Sequence, residues 1–260
     1  MFRNKQFQKF LENSKREKLD VVVTTVVETV GSTFTKSGNI MLVNSKGEFT
    51  GVLGSNFLQN KIKESSKLAL ESKTIQYFES IAQDESSGHG SSKYQTEPYF
   101  YKNNYENINK YIIAPYSLLI FGSGAHVTAL ISIANIMGWK TTVIDINIKK
   151  EFVSQADETI ELKNLEDILT MDLSSYESSV ILSHSPKTDD TYLQALLKTD
   201  MNYIGLMGNK KNMQRKKQQF DLENDDRFFA PVGINIGSHT PQSIALSICA
   251  QIEAKKNGKI

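Results

Sequence analysis

Apolar positions change their rhythm near the middle of the chain. Over 2–18 they recur as Phe2, Phe7, Phe10 and Leu11 among charges, the stripe of an amphipathic helix. Asp20 to Thr29, DVVVTTVVET, is dense in β-branched residues and predicts a buried strand. The glycine-bounded loop GSTFTKSG precedes two more strands, Asn39–Asn44 and Glu48–Leu53, around the turn signal SKG. Phe57–Glu71 then reads as a helix, with Ser55 or Asn56 as its N-cap. Ile75–Ile81 and Tyr94–Tyr101 are further strands, separated by the polar loop QDESSGHGSS. Lys102–Ile112, rich in Asn, Lys and Tyr, is expected to connect two domains.

Beyond Pro115 short apolar runs alternate with helical spacing, the pattern of a parallel α/β sheet. SLLIF (Ser117–Phe121) is too short for a helix and is bounded by glycine, so it reads as a buried strand. GSG follows at once, and Leu130, Ile133, Ala134 and Met137 then fall at helical spacing. Gly138 closes that helix as the expected C′ residue. Thr141–Ile144 is the second strand, ending in Asp145, 23 residues beyond Gly122. Ser178–Ser183 is a third core strand, followed by a helix over Asp189–Lys198 with Asp189 or Asp190 near its cap. Asn202–Met207 is a fourth strand, followed by a basic helix over Lys210–Phe220. Arg227–Asn235 is a short strand and loop. The last helix has Thr240 as its expected N-cap and Pro241 in its first turn. The fold class predicted is α/β: an N-terminal α+β domain over 1–101, a linker over 102–114 and a Rossmann-like parallel-sheet domain over 115–260.

The strand–GSG–helix–strand–acid run is the opening of a dinucleotide-binding fold. Gly122 permits the tight turn, and Gly124 lets backbone amides approach a pyrophosphate at the positive end of the helix. An acid at Asp145 stands where one would bind a ribose hydroxyl. The third position of the motif, where Gly or Ala lets the helix pack closely on the strand, is Val127. The crevice therefore binds a dinucleotide or holds something else.

Composition narrows the picture. With 260 residues the chain has room for one large or two modest cores, and its net charge is +1, from 30 basic and 29 acidic residues. That balance makes no electrostatic case for nucleic acid or an anionic membrane. MFRNKQFQKFLENSKREK lacks the apolar centre of a signal peptide, no run is long enough to span a bilayer, and a cytoplasmic location is expected. The single cysteine, Cys249, excludes an internal disulfide and a multi-cysteine metal site; it falls on the apolar face of the last helix. HExxH, CxxC and GxSxG are absent, so no metal centre and no nucleophile elbow are expected.

Ligands of α/β sheets bind where strands end, and four such places collect polar residues. They are the turn Gly122, Ser123, Gly124 with His126; Asp145; His184 in HSPKTDD; and Gly208, Asn209, Lys210 at a helix start, with Lys211 behind. His184 reads as a proton carrier facing a ligand or as a loop histidine capping a carbonyl. His126 contacts a ligand or points outward, and Asp145 binds a ribose or caps the segment after it. The amides and ammonium groups at Gly208–Lys211 suit a phosphate.

Four blocks, FGSGAHVTALISIANIMGWKTTVID, VILSHSPKTDD, YIGLMGNKKNMQRKK and FFAPVGINIGSHTPQSIALSICAQI, together resemble the XdhC/CoxI family, the accessory proteins of xanthine dehydrogenase and related molybdenum hydroxylases. The first half, in TTVVETVGSTFTKSGNIMLV and GEFTGVLGSNFLQNKI, resembles that family's N-terminal domain. The resemblance implies a two-domain protein that binds molybdenum cofactor (molybdopterin), protects its sulfurated form and delivers it to an apo-hydroxylase without turnover of its own. It also implies a homodimer. Where the family carries a glycine pair, cysteine and glutamate, this chain has Ser55, Asn56, Phe57, Leu58 and Gln59, so the thiol becomes Phe57 and the carboxylate Gln59. The family's arginine in the GSTFTKSG loop is absent, with Thr35 and Lys36 there, and its second glycine–cysteine element survives only as SSGHGSS around His89. Two other functions stand beside this one: an NAD(P)-dependent oxidoreductase using Asp145, and a diverged regulatory or scaffolding relative.

Overall fold

The computed structural model describes residues 3–81, 90–183 and 185–260. His184 and His89 lie outside the described residues. The chain divides into two compact units, Met1–Ala114 and Pro115–Ile260.

The first unit is an antiparallel sheet with helical cover on both faces. Its elements are α1 (Lys5–Arg16), β1 (Val21–Val30), β2 (Ile40–Asn44), β3 (Phe49–Thr50), α2 (Asn56–Ser72), β4 (Gln76–Ser80) and β5 (Ser91–Tyr99), with strand order β3-β2-β1-β5-β4. The period-two alternation of β2 assigns each face. Ile40 and Leu42 join Phe7 and Leu11 of α1, whereas Met41 and Val43 join Leu58 and Ile62 of α2. Because β1 is central and covered on both sides, its first residues need no polar face. Ser55 caps α2, its Oγ accepting from Leu58 N at 3.4 Å.

The stretch expected to be a linker, 102–114, is packed structure instead. Tyr105 and Ile108 are buried with α1 and the first strands, and Tyr105 OH donates to Leu19 O at 2.5 Å. Tyr111 OH donates to Glu97 at 2.7 Å. Its Asn and Lys residues resemble a linker in composition, but its aromatic and aliphatic residues supply core for the first unit.

The second unit is a six-stranded sheet made from β6 (Ser117–Phe121), β7 (Lys140–Asp145), β8 (Glu158–Glu161), β9 (Ser178–Ile181), β10 (Tyr203–Leu206) and β11 (Phe228–Phe229). All its pairings are parallel and its order is β11-β10-β9-β6-β7-β8. Starting from β8, that is the doubly wound order whose switch point lies between β6 and β9. Helices α3 (Val127–Ile136) and α7 (Pro241–Lys256) cover one face, and α5 (Pro186–Leu196) covers the other. The basic helix α6 (Lys210–Gln219) follows β10, and a four-residue helix α4 (Lys150–Val153) precedes β8. The edge strand β8 carries little apolar periodicity, which is why sequence pattern passes it over.

Local signals set the ends of these helices. Gly138, at φ +74°, ends α3 in a paired cap, with Gly138 N donating to Asn135 O at 3.1 Å and Trp139 N to Ala134 O at 2.9 Å. Thr240 caps α7, accepting from Ser243 N at 3.1 Å, and Pro241 opens it. α5 begins three residues earlier than its acids suggest: Pro186 occupies the first turn, so Asp189 lies inside the helix rather than at its cap. No described helix is long and apolar enough to cross a membrane.

Candidate functional site at the carboxyl ends of the parallel strands

The turn after β6 is held by backbone fit. Gly122 adopts φ +102°, and a Cβ there would lie 2.8 Å from Leu182 O. Glycine thus lets the first turn rest directly on the end of β9 at the switch point. Gly124 is less constrained, because its imagined Cβ would meet only the His126 ring, at 2.8 Å. Val127, the misfit in the third motif position, is fully buried in the core shared by α3 and α7.

Ser123 joins the turn to β7. Its Oγ donates to Asp145 Oδ2 at 2.7 Å, lies 3.0 Å from Asn147 O and accepts from Lys149 N at 3.1 Å. Asp145 Oδ1 accepts from Ile146 N at 2.8 Å. The acid therefore organises the chain that follows it, the second of the two roles its sequence position allows. His126 turns inward: its Nε2 lies 3.0 Å from Leu182 O, and a carbonyl only accepts, so Nε2 carries the proton. The structure brings Gly122, Ser123, Gly124, His126 and Asp145 into one interlocked turn.

No acceptor among the described residues engages the backbone amides of Ser123, Gly124 and Ala125. They precede α3, whose dipole places partial positive charge there. A second group of amides opens α6. Asn209 Oδ1 caps Asn212 N at 2.9 Å, while Gly208, Asn209, Lys210 and Lys211 are exposed. Only β9 separates β6 from β10, so the carboxyl ends of these two strands stand about 10 Å apart in the sheet.

Two residues below this rim carry more than their sequence context advertises. Asp189 is only 8% exposed and accepts from Ser183 Oγ at 2.5 Å. Tyr192 is wholly buried, stacks on Phe121 at 4.3 Å between ring centroids, and has a hydroxyl without a hydrogen-bond partner among the described residues. Burial above all, then the charges of Asp145 and Asp189, holds the Tyr192 phenol well above its ordinary pKa. In sequence Tyr192 looks like one more apolar-face residue of an amphipathic helix. Only the meeting of α5 with the ends of β6 and β7 marks it.

Other polar and glycine positions of the second unit serve its structure. Gly233, at φ +95°, donates its N–H to Gln251 Oε1 at 2.7 Å, and Tyr203 OH donates to the same oxygen at 2.8 Å. A Cβ on Gly233 would lie 2.4 Å from Ser247 Oγ, so the PVGINIG block anchors its loop to α7. His239 N donates to Ser243 Oγ at 3.1 Å in the turn before α7. Cys249 is buried, and burial pushes its thiol up to about 12. Among the described residues no group of three or more His, Cys, Asp or Glu is placed to hold a metal.

In the first unit, Phe57 opens α2 with 78% of its surface exposed, and Phe34 in the GSTFTKSG loop is 76% exposed. Thr35 Oγ1 donates to Leu53 O at 3.0 Å and ties that loop to the segment before α2.

Residues 118–252 match the XdhC Rossmann domain, and residues 15–79 match the XdhC and CoxI family. The chain is 25% identical over 259 residues to the protein YqeB of Escherichia coli (strain K12), covering 95% of this chain and 46% of that protein. It is also 25% identical over 138 residues to a probable xanthine dehydrogenase subunit of Bacillus subtilis (strain 168), covering 52% of this chain and 41% of the relative. The chain thus spans less than half the length of either relative. A crystal structure from Bacillus halodurans, described as a xanthine dehydrogenase, superposes with a TM-score of 0.80 at 20% identity, covering 97% of this chain and 96% of the other, and so shares its fold. With an interlocked glycine turn at the switch point of its parallel sheet and the family's Rossmann domain matched over more than half its length, the chain belongs to the XdhC/CoxI family.

Proposed function

We propose that this protein is an accessory factor for a xanthine-dehydrogenase-type molybdenum hydroxylase, binding molybdenum cofactor and handing it to the apo-enzyme. The observation that carries the reading is the pair of amide-bearing helix starts, Ser123–Ala125 and Gly208–Lys211, which follow β6 and β10 at the carboxyl edge of the parallel sheet. Helix starts of this kind take anions. The pterin phosphate would be received there, with Lys210 and Lys211 adding charge.

The residues present fit the organic part of the cofactor better than its metal. Amides and ammonium groups match a phosphate, whereas Cys249 is buried as a high-pKa thiol and Phe57 stands at the family's cysteine position. When bound, the cofactor supplies the redox-active molybdenum centre of the target enzyme; this chain binds, orients and releases. Asp145 lends little support to an NAD(P) oxidoreductase, because its two oxygens already serve Ile146 N and Ser123 Oγ.

A specific feature favours a second reading, that of a regulatory or scaffolding relative. Phe34 and Phe57 of the first unit are both strongly exposed, and exposed aromatics suit protein contact.

The test is retention of molybdopterin released from a denatured molybdoenzyme, measured by gel filtration, followed by transfer to apo-hydroxylase. Co-elution and restored hydroxylase activity are expected. Retention no better than that of an unrelated Rossmann protein overturns the cofactor reading.

A further inference from the structure

Helix α6 is joined to the rest of its unit by very little. Of its ten residues, KKNMQRKKQQ, only Met213 is buried, whereas α5 sinks Tyr192, Leu193, Ala195 and Leu196 into the core. Its ends close on themselves. Asn209 Oδ1 accepts from Asn212 N at 2.9 Å, and Leu222 N donates to Lys217 O at 2.8 Å just past the last turn. Gly208 precedes the helix, and Asp221, at φ +54°, follows it. Among the described residues, one polar contact carries α6 to another helix or strand: the ion pair of Lys216 with Asp190 of α5. Gln214 reaches only Glu223, in the turn beyond α6.

α6 also forms one wall of a cleft of about 420 Å³, from Asn212 to Gln219, with Pro186 and Asp189 of α5 lining it as well. We infer that α6 is a lid on this cleft, swinging about Gly208 and Asp221 and latched by the Lys216–Asp190 pair.

The cost of a local opening follows from what it exposes and breaks. Opening α6 exposes one methionine and parts one ion pair; opening α5 would expose four core side chains. The latch is strong enough to matter. Lys216 is 15% and Asp190 27% exposed, so losing one partner leaves a lone charge largely out of water. The Lys216 ammonium also lies 5.9 Å from the centroid of Phe220, at the far end of the lid. Both hinge positions lie outside the helix, where a change of φ and ψ leaves its capped turns intact. Such a lid governs entry and release at the cleft whatever the cleft receives, so the inference stands apart from the cofactor reading.

The experiment is oxidation of the ligand-free full chain by peroxide, at low conversion, with each methionine read by mass spectrometry. Met213 and Met201 are buried in the same core cluster, but only Met213 rides on α6. In wild type Met213 should oxidise about 10-fold or more faster than Met201, as local opening outruns opening of the core. Asp190→Asn and Lys216→Gln should each speed Met213 about 5-fold further, leave Met201 unchanged and not add when combined. Met213 oxidising in step with Met201 in wild type overturns the lid, with no variant required. Latch variants that leave Met213 unchanged, or that speed both methionines alike, overturn it too.

Discussion

The two glycine-led helix starts of the parallel sheet use similar residues in opposite ways. Before α3, Gly122 is pressed against Leu182, Ser123 is bonded to Asp145, and His126 turns back onto β9. Before α6, Gly208 to Lys211 are exposed, and the capping is done by the Asn209 side chain. One start is built into the sheet and offers neutral amides at a fixed place. The other projects into solvent and adds two ammonium groups. The first suits precise approach by a ligand, and the second suits capture of an anion.

The sharpest way to break this contrast is to add one methyl group at each start. Gly122→Ala should destabilise the protein by about 3 kcal/mol, read by urea unfolding, because strained φ and a backbone clash act together. Gly208→Ala should cost under about 1 kcal/mol, since its Cβ would meet only the movable end of Met213. Equal losses at the two sites would erase the distinction.

Charge sharpens it next. Lys210→Ala with Lys211→Ala should weaken phosphate binding about 10-fold and flatten its salt dependence, measured by calorimetry, with an unchanged melting temperature. Ser123→Ala should act the other way, costing about 1–2 kcal/mol of stability as Asp145 loses a donor.

Smaller effects concern the buried interior. Burial raises the folded pKa of Cys249 to about 12 from its ordinary value of 9.0, so its contribution to stability is complete below pH 9 and is lost as pH rises toward 12. At about pH 8 the native thiol should resist a thiol reagent that labels it at once in urea. Tyr192→Phe removes a hydroxyl without a partner among the described residues and should raise stability by up to about 1 kcal/mol in the ligand-free protein. A clear loss would reveal a partner for that hydroxyl.

Much of the fold is legible in the chain. DVVVTTVVET became the central β1 because a β-branched run suits a strand covered on both faces. Gly138, Thr240 and Pro241 marked helix ends because caps are local chemistry, settled within a few residues. The boundary of α5 was less legible: Asp189 and Asp190 resemble a cap, but Pro186 had already opened the helix. Residues 102–114 misled for a related reason, since Asn-rich composition says nothing of which side chains a neighbouring sheet will bury.

Local pattern by itself determined the βαβ opening, the helix ends and the glycine turn, because periodicity and caps depend on near neighbours. Tertiary structure alone decided what those residues do. It set Asp145 to holding Ser123, turned His126 onto Leu182, and buried Asp189 beside a cleft rather than at a helix tip. Those outcomes depend on strands and helices that meet only when the sheet is assembled, and no window of sequence contains them.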